Sequence, residues 1–204
     1  MSEKVTFYYH PMSRARSIHW MLEEVGAPYD VKRIDMMKGE QKLPAFLAKN
    51  PMGKLPMIEH RGVVITEGTA IATYLADAFP QAGLAPDVTD PQRGAYYRWL
   101  FFAPSVFEPG MVDQIFPRAQ TPPSSYIGHG TFEAVLNTVE HAIRDGFVLK
   151  NRFSTADLAL SSQLSYALMT NAIPARASFK AYVNLCQDRP AFRRHLETAD
   201  RLGL

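Results

Sequence analysis

The sequence predicts a chain of two classes, an α/β half of about 80 residues followed by an all-helical half. Three observations carry this reading. Residues 5 to 34 show a strand–helix–strand pattern, and residues 57 to 79 show a hairpin followed by a helix. Beyond a proline-rich break at 80 to 91, apolar residues recur only at helical spacing.

Val5-Thr6-Phe7-Tyr8-Tyr9 is β-branched and aromatic, and His10-Pro11-Met12 ends it. Ile18, Met21, Leu22 and Val25 then fall at i, i+3, i+4 and i+7, one face of a helix that Gly26 terminates. Tyr29 to Ile34 is a second strand, expected to run parallel to the first with a right-handed crossover. A helical or irregular stretch covers about Gln41 to Lys49. Met57–Glu59 and Val63–Thr66 flank a tight turn at Arg61-Gly62, and Ile71, Tyr74, Leu75 and Ala78 predict a helix from about Glu67 to Phe79. The order βαβ, connecting helix, ββα is thioredoxin-like, and it sets the first domain at 1–80.

PQAGLAPDVTDP carries three prolines and a glycine, which places a linker at 81–91 and an all-helical domain at 92–204. Tyr96, Trp99, Leu100 and Ala103 form one stripe, with Pro104 expected to kink or end it. Phe132, Val135, Leu136 and Val139 form another, and Phe179, Tyr182, Val183 and Cys186 a third. Phe153-Ser154-Thr155-Ala156-Asp157-Leu158 reads as a helix start, with Ser154 as cap, Asp157 reaching back, and Phe153 and Leu158 as staple.

Composition narrows the function. The chain has 204 residues, 47% hydrophobic and 21% charged, enough for one large domain or two small ones. Twenty-two Lys plus Arg against 20 Asp plus Glu leaves +2 with no basic run, so nothing points to nucleic acid. No apolar stretch approaches the ~20 residues of a membrane span, and MSEKVTFYYH lacks the apolar region of a signal peptide. A cytoplasmic protein is expected. The single Cys186 excludes an internal disulfide, a CxxC redox pair and a cysteine zinc site, and no metal is expected.

One stretch resists a purely structural reading. In NPMGKLPMIE, Pro56 stands where the following strand would need a backbone donor. Read from the residues, it is a trans proline opening an edge strand, or a special turn beside a ligand. YYHPMSRARSIHWMLEEVG, NPMGKLP, TEGTAIATYLADAFP and FSTAD, in this order and spacing, resemble the cytosolic glutathione S-transferases of bacterial, serine-like type. The resemblance covers essentially the whole chain.

It implies that Leu55–Pro56 is cis, with the Leu55 N–H and C=O offered to the cysteinyl backbone of glutathione as if to an added strand. It implies that Glu67 meets the ligand's α-ammonium. The residue after it, usually serine in the family, would hold the γ-glutamyl carboxylate; Gly68 stands there, leaving only backbone N–H groups at a helix start. Lys54 is a looser candidate for the glycyl end, with Gln41 and Lys42 nearby. Thiolate chemistry needs a donor aimed at sulfur, because a free thiol titrates near ~8.5. Ser13 occupies the position of the first cysteine of redox relatives, while Tyr8 aligns with the activating residue of tyrosine-type transferases. Both stay open, and Tyr9 and His10 rank after them.

Trp99, Phe102, Phe107, Met111, Tyr166 and Met169 are candidates for an apolar second-substrate pocket, or simply core. The activity implied is conjugation of glutathione, as co-substrate, to a small apolar electrophile in detoxification, by a homodimer. The alternatives are a glutathione-dependent isomerase, dehalogenase or peroxidase, and a non-catalytic binding or scaffold protein on the same fold.

Overall fold

The computed structural model describes residues 4–120 and 122–203. They form two compact units, one made of residues 1–83 with 189–204 and the other of residues 84–188.

The first unit holds β1 (Val5–Tyr9), α1 (Ala15–Val25), β2 (Tyr29–Arg33), α2 (Pro44–Leu47), β3 (Met57–His60), β4 (Val63–Thr66) and α3 (Gly68–Ala78). The four strands are ordered β2-β1-β3-β4, with β1 and β2 parallel and the other two pairs antiparallel. The thioredoxin-like order is therefore present. Local signals set its elements. Ile18, Met21, Leu22 and Val25 are all buried, and Gly26 ends α1 at φ 65°, its N–H on the Leu22 carbonyl. Arg61 and Gly62 both have positive φ, at 51° and 81°, as a two-residue hairpin turn requires.

The last helix, α9 (Pro190–Leu202), departs from the expected grouping of 92–204, because it belongs with the sheet. Its anchors are specific and could not be read from local pattern. Arg189 bonds both carboxylate oxygens of Glu24 at 2.7 and 2.8 Å, and Phe192 meets Trp20 edge-on at 4.9 Å. His195 Nδ1 lies 2.7 Å from His19 Nδ1, and His19 Nε2 lies 2.7 Å from the Tyr29 hydroxyl, which donates to Glu23. Since Tyr29 spends its proton on Glu23, His19 must carry its own on Nε2, and His195 must donate through Nδ1.

Both imidazoles are neutral in the fold. Burial, with His19 and Arg16 adding to it, pushes His195 down to about 3; burial also lowers His19, against Glu23. The unfolded chain protonates both near ~6.5, so it binds more protons below that pH. Stability is expected to fall as pH drops from about 6.5 toward 3, by up to ~1.4 kcal/mol per pH unit for His195, with His19 acting in the same direction. In urea unfolding, His195→Phe should lose less stability between pH 7 and pH 5 than the parent. Identical losses would contradict the neutral-pair account.

The second unit is helical: α4 (Arg93–Phe102), α5 (Glu108–Ile115), α6 (Phe132–Ile143), α7 (Thr155–Met169) and α8 (Ala177–Gln187). α4 ends at Phe102, just ahead of Pro104. The chain widens into a π turn over Ala103–Phe107 and resumes as α5, a bulge that absorbs the missing N–H. The predicted stripes are core: Tyr96, Leu100, Val139, Phe179 and Cys186 are fully buried. At the start of α7 the capping box forms as expected, and Asp157 does reach back. Its carboxylate is fully buried and accepts from the Ser154 N–H and hydroxyl, the Val148 N–H and the Tyr182 hydroxyl, all within 2.8–2.9 Å. Among the described residues no helix is long and apolar enough to cross a membrane.

Candidate functional site

Strand register brings three distant segments to one end of the sheet. Tyr8 pairs with Met57 and Met57 with Thr66, all in antiparallel neighbours. The turn after Tyr9, the Leu55–Pro56 bond before Met57 and the Glu67-Gly68 pair after Thr66 therefore emerge side by side. Three adjacent strands at ~4.8 Å spacing put about 10 Å between the outer two, the reach of an extended tripeptide.

The Leu55–Pro56 bond is cis. Leu55 is buried, yet among the described residues neither its N–H nor its C=O is bonded to another group. A buried backbone pair left open in this way is unusual, since such groups are otherwise satisfied. The loop that delivers it is tightly made. Asn50, only 2% exposed, donates to the Lys54 carbonyl at 2.9 Å, accepts the Met52 N–H at 3.2 Å, and takes the Gly53 N–H on its own carbonyl. Gly53 has φ 58°, and a Cβ there would lie 2.7 Å from the Gln41 carbonyl oxygen. Asn50 and Gly53 thus explain the rest of NPMGKLP. Sequence reading passed over them, although Asn-Pro and Gly are turn signals.

Gly68 opens α3, whose first N–H groups have no side-chain cap. A Cβ added at Gly68 would meet only Pro56 Cγ, at 3.9 Å, so this helix start abuts the cis proline with room to spare. Glu67, exposed and without a carboxylate partner among the described residues, sits at φ 66° and ψ 118°, outside the ordinary regions for a side-chain-bearing residue. Backbone held this way concentrates at ligand sites. Lys54 is exposed, with its ammonium unpartnered among the described residues, while Lys42 is committed to the Met52 carbonyl at 3.0 Å. Gln41 buries its Oε1 without a partner among the described residues.

The two candidate activators differ in what they already do. Ser13, half-buried just before α1, donates its hydroxyl to the His10 carbonyl at 2.7 Å and accepts the Ala15 N–H at 3.2 Å. A hydroxyl resting on a carbonyl at a helix start can turn toward an anion, where the helix dipole assists it. Tyr8 points to the α2 side of the sheet, against Phe46, Leu55 and Met57. Its hydroxyl donates to Glu59 and accepts from Lys49 at 3.1 Å, and Lys49 also binds Glu59 at 2.6 Å. Lys49 and Tyr8 hold Glu59 below the usual carboxylate range. Turning the Tyr8 hydroxyl to another partner would cost its bonds to Glu59 and Lys49.

Of the apolar candidates in the second unit, Trp99, Phe107 and Met111 are core. Tyr166 and Met169 on α7 are exposed, as are Tyr97 and Phe101 on α4, which sequence reading did not single out. Among the described residues, no cluster of three or more His, Cys, Asp or Glu is placed to hold a metal.

This geometry defines a thioredoxin-like domain with an open backbone edge at the cis proline, joined to a helical unit. Residues 3–77 match the family model for the glutathione S-transferase N-terminal domain. The chain is 27% identical over 190 residues to glutathione S-transferase GstA of Escherichia coli O157:H7, covering 90% of this chain and 92% of that one. It is similar in structure to a glutathione transferase of Methylococcus capsulatus, with 26% identity, TM-score 0.77 and coverage of 95% and 98%. A glutathione transferase homolog from Sulfitobacter, solved with bound glutathione, shares the fold at 24% identity and TM-score 0.78, covering 97% and 99%. Residues 3–77 thus carry a glutathione S-transferase N-terminal domain, and the chain is similar to glutathione S-transferases along most of its length.

Proposed function

We propose that this protein binds glutathione along Leu55 and transfers its thiolate, activated by Ser13, to a small apolar electrophile. The observation that carries the reading is the open N–H and C=O of buried Leu55 at the cis bond, side by side in the sheet with the α3 start and the Ser13 turn. The cysteinyl backbone pairs with Leu55, the γ-glutamyl carboxylate takes the first N–H groups of α3, and the α-ammonium meets Glu67. The glycyl end lies toward Lys54. The sulfur then falls beside Ser13, whose O–H leaves the His10 carbonyl and donates to the thiolate.

Gly68 gives the reading a direct test. Gly68→Ser adds a hydroxyl donor to the carboxylate where nothing but Pro56 Cγ, at 3.9 Å, crowds the new Cβ. Calorimetric affinity for glutathione should rise, within the ~1.5–3 kcal/mol of a hydrogen bond to a charged group. Unchanged or weaker binding in a folded variant would remove the carboxylate from α3. The homodimer is part of the same reading, supported by exposed Val63 and Val64 on the outer strand β4. Sedimentation of a single 22.9 kDa species at micromolar concentration would refute it.

A further inference from the structure

The Ser13 hydroxyl is held by a turn, and one residue makes most of that turn's bonds. The chain leaves β1 at Tyr9 and enters α1 at Ala15. His10 accepts the Ser13 N–H on its carbonyl at 3.1 Å and the Ser13 hydroxyl on the same oxygen at 2.7 Å. Its ring Nδ1 accepts the Met12 N–H at 3.1 Å. An accepting Nδ1 carries no proton, so the ring is neutral with its proton on Nε2. This copies an Asx turn, in which a short polar side chain takes the N–H two residues on. Met12 leaves its side chain 82% exposed, so packing does not fix its peptide; the imidazole does.

We propose that His10 is a positioning residue for Ser13, an inference that rests on the serine reading above. With the Met12 peptide pinned, the His10 carbonyl and the Ser13 N–H stay in register, and Oγ keeps one place. When the hydroxyl proton turns to the thiolate, the Ala15 N–H still holds Oγ from the helix side. A donor already in position needs no reordering when charge arrives, which is where its stabilisation comes from. Without the imidazole, the segment between Pro11 and Ser13 must be ordered anew for each thiolate.

The test compares His10→Leu, His10→Asn, Ser13→Ala and the His10→Leu/Ser13→Ala double variant. The readouts are kcat, KM for glutathione, the bound thiol's pKa from thiolate absorbance, and exchange of the Met12 amide. His10→Leu is expected to lower kcat roughly 3- to 10-fold, the scale of one lost hydrogen bond, at unchanged KM. It should raise the thiol pKa part of the way to the Ser13→Ala value and speed Met12 amide exchange. Asparagine can accept the same N–H, so His10→Asn should recover most of each effect. The double variant should be no worse than Ser13→Ala alone, because His10 acts only through Ser13. The proposal is overturned if His10→Leu behaves as the parent while Ser13→Ala is impaired, if His10→Asn fails as badly as His10→Leu, or if the two losses add in full. A Ser13→Ala variant with undiminished rate and thiol pKa would instead sink the serine reading, and this proposal with it.

Discussion

Ser13→Ala is expected to slow a thiolate-limited glutathione conjugation roughly 10- to 100-fold while leaving the fold intact. A hydroxyl donor to an anion contributes ~1.5–3 kcal/mol, and each 1.4 kcal/mol is a factor of ten in rate. The pH profile supplies an independent check, because the apparent thiol pKa should climb back toward ~8.5 once the donor is gone. The Ser13 hydroxyl closes only local bonds, to His10 and Ala15, so its removal threatens little else. Tyr8→Phe should barely change the rate. Its cost belongs to the Glu59–Lys49 group, which would keep its 2.6 Å ion pair but lose the hydroxyl that bonds both partners. A full rate in Ser13→Ala beside a large loss in Tyr8→Phe would reverse the assignment.

Asp157→Ala is expected to be the most destabilising single substitution discussed, at about 3–5 kcal/mol. The carboxylate accepts four hydrogen bonds in a fully buried place, and two of its donors, the Val148 N–H and the Tyr182 hydroxyl, lie outside the α7 cap. Burial raises its pKa, and the four donors oppose that rise. Alanine would strand the Ser154 and Val148 N–H groups without an acceptor and leave the Tyr182 hydroxyl only Cys186, and each stranded group costs more than the bond itself. The thermal midpoint should fall by about 10 °C or more. Ser154→Ala removes only one hydroxyl and should cost ~1 kcal/mol. Equal, small shifts for both variants would show that Asp157 is an ordinary cap and not a junction.

These two residues mark how far the sequence could be read. Asp157 was legible as a cap because capping is local: Ser154 and Asp157 are three residues apart, and the apolar run follows at once. Gly26 and the Arg61-Gly62 turn were legible for the same reason, each being a left-handed position that local chemistry identifies. That Asp157 also receives Tyr182, 25 residues on, was not legible, since nothing near either residue encodes their meeting. The return of α9 to α1 has the same character. The residues that hold it, Glu24, His19 and Trp20, lie more than 160 positions earlier and look like ordinary helix residues.

The site divides in a similar way. Leu55–Pro56 reads from the residues alone as a strand start, and only its company with Ser13 and Glu67-Gly68 made a cis bond the expectation. Asn50 and Gly53, which shape that loop, carried plain turn signals that were available and unused. Trp99, Phe107 and Met111 were indistinguishable from pocket residues because a helical stripe is the same pattern whether it faces core or ligand. Tyr8 aligned well but is engaged by Lys49 and Glu59, from segments 41 and 51 residues away.

The central claim is that glutathione pairs with Leu55 and presents its sulfur to Ser13. A crystal structure of the protein soaked with glutathione tests it most directly. The account predicts the cysteinyl N–H and C=O bonded to the Leu55 backbone, the γ-glutamyl carboxylate on the first N–H groups of α3, and the Ser13 hydroxyl swung from the His10 carbonyl to the sulfur. A sulfur within reach of Tyr8 with the Glu59–Lys49 pair opened, or a tripeptide bound away from Leu55, would contradict it.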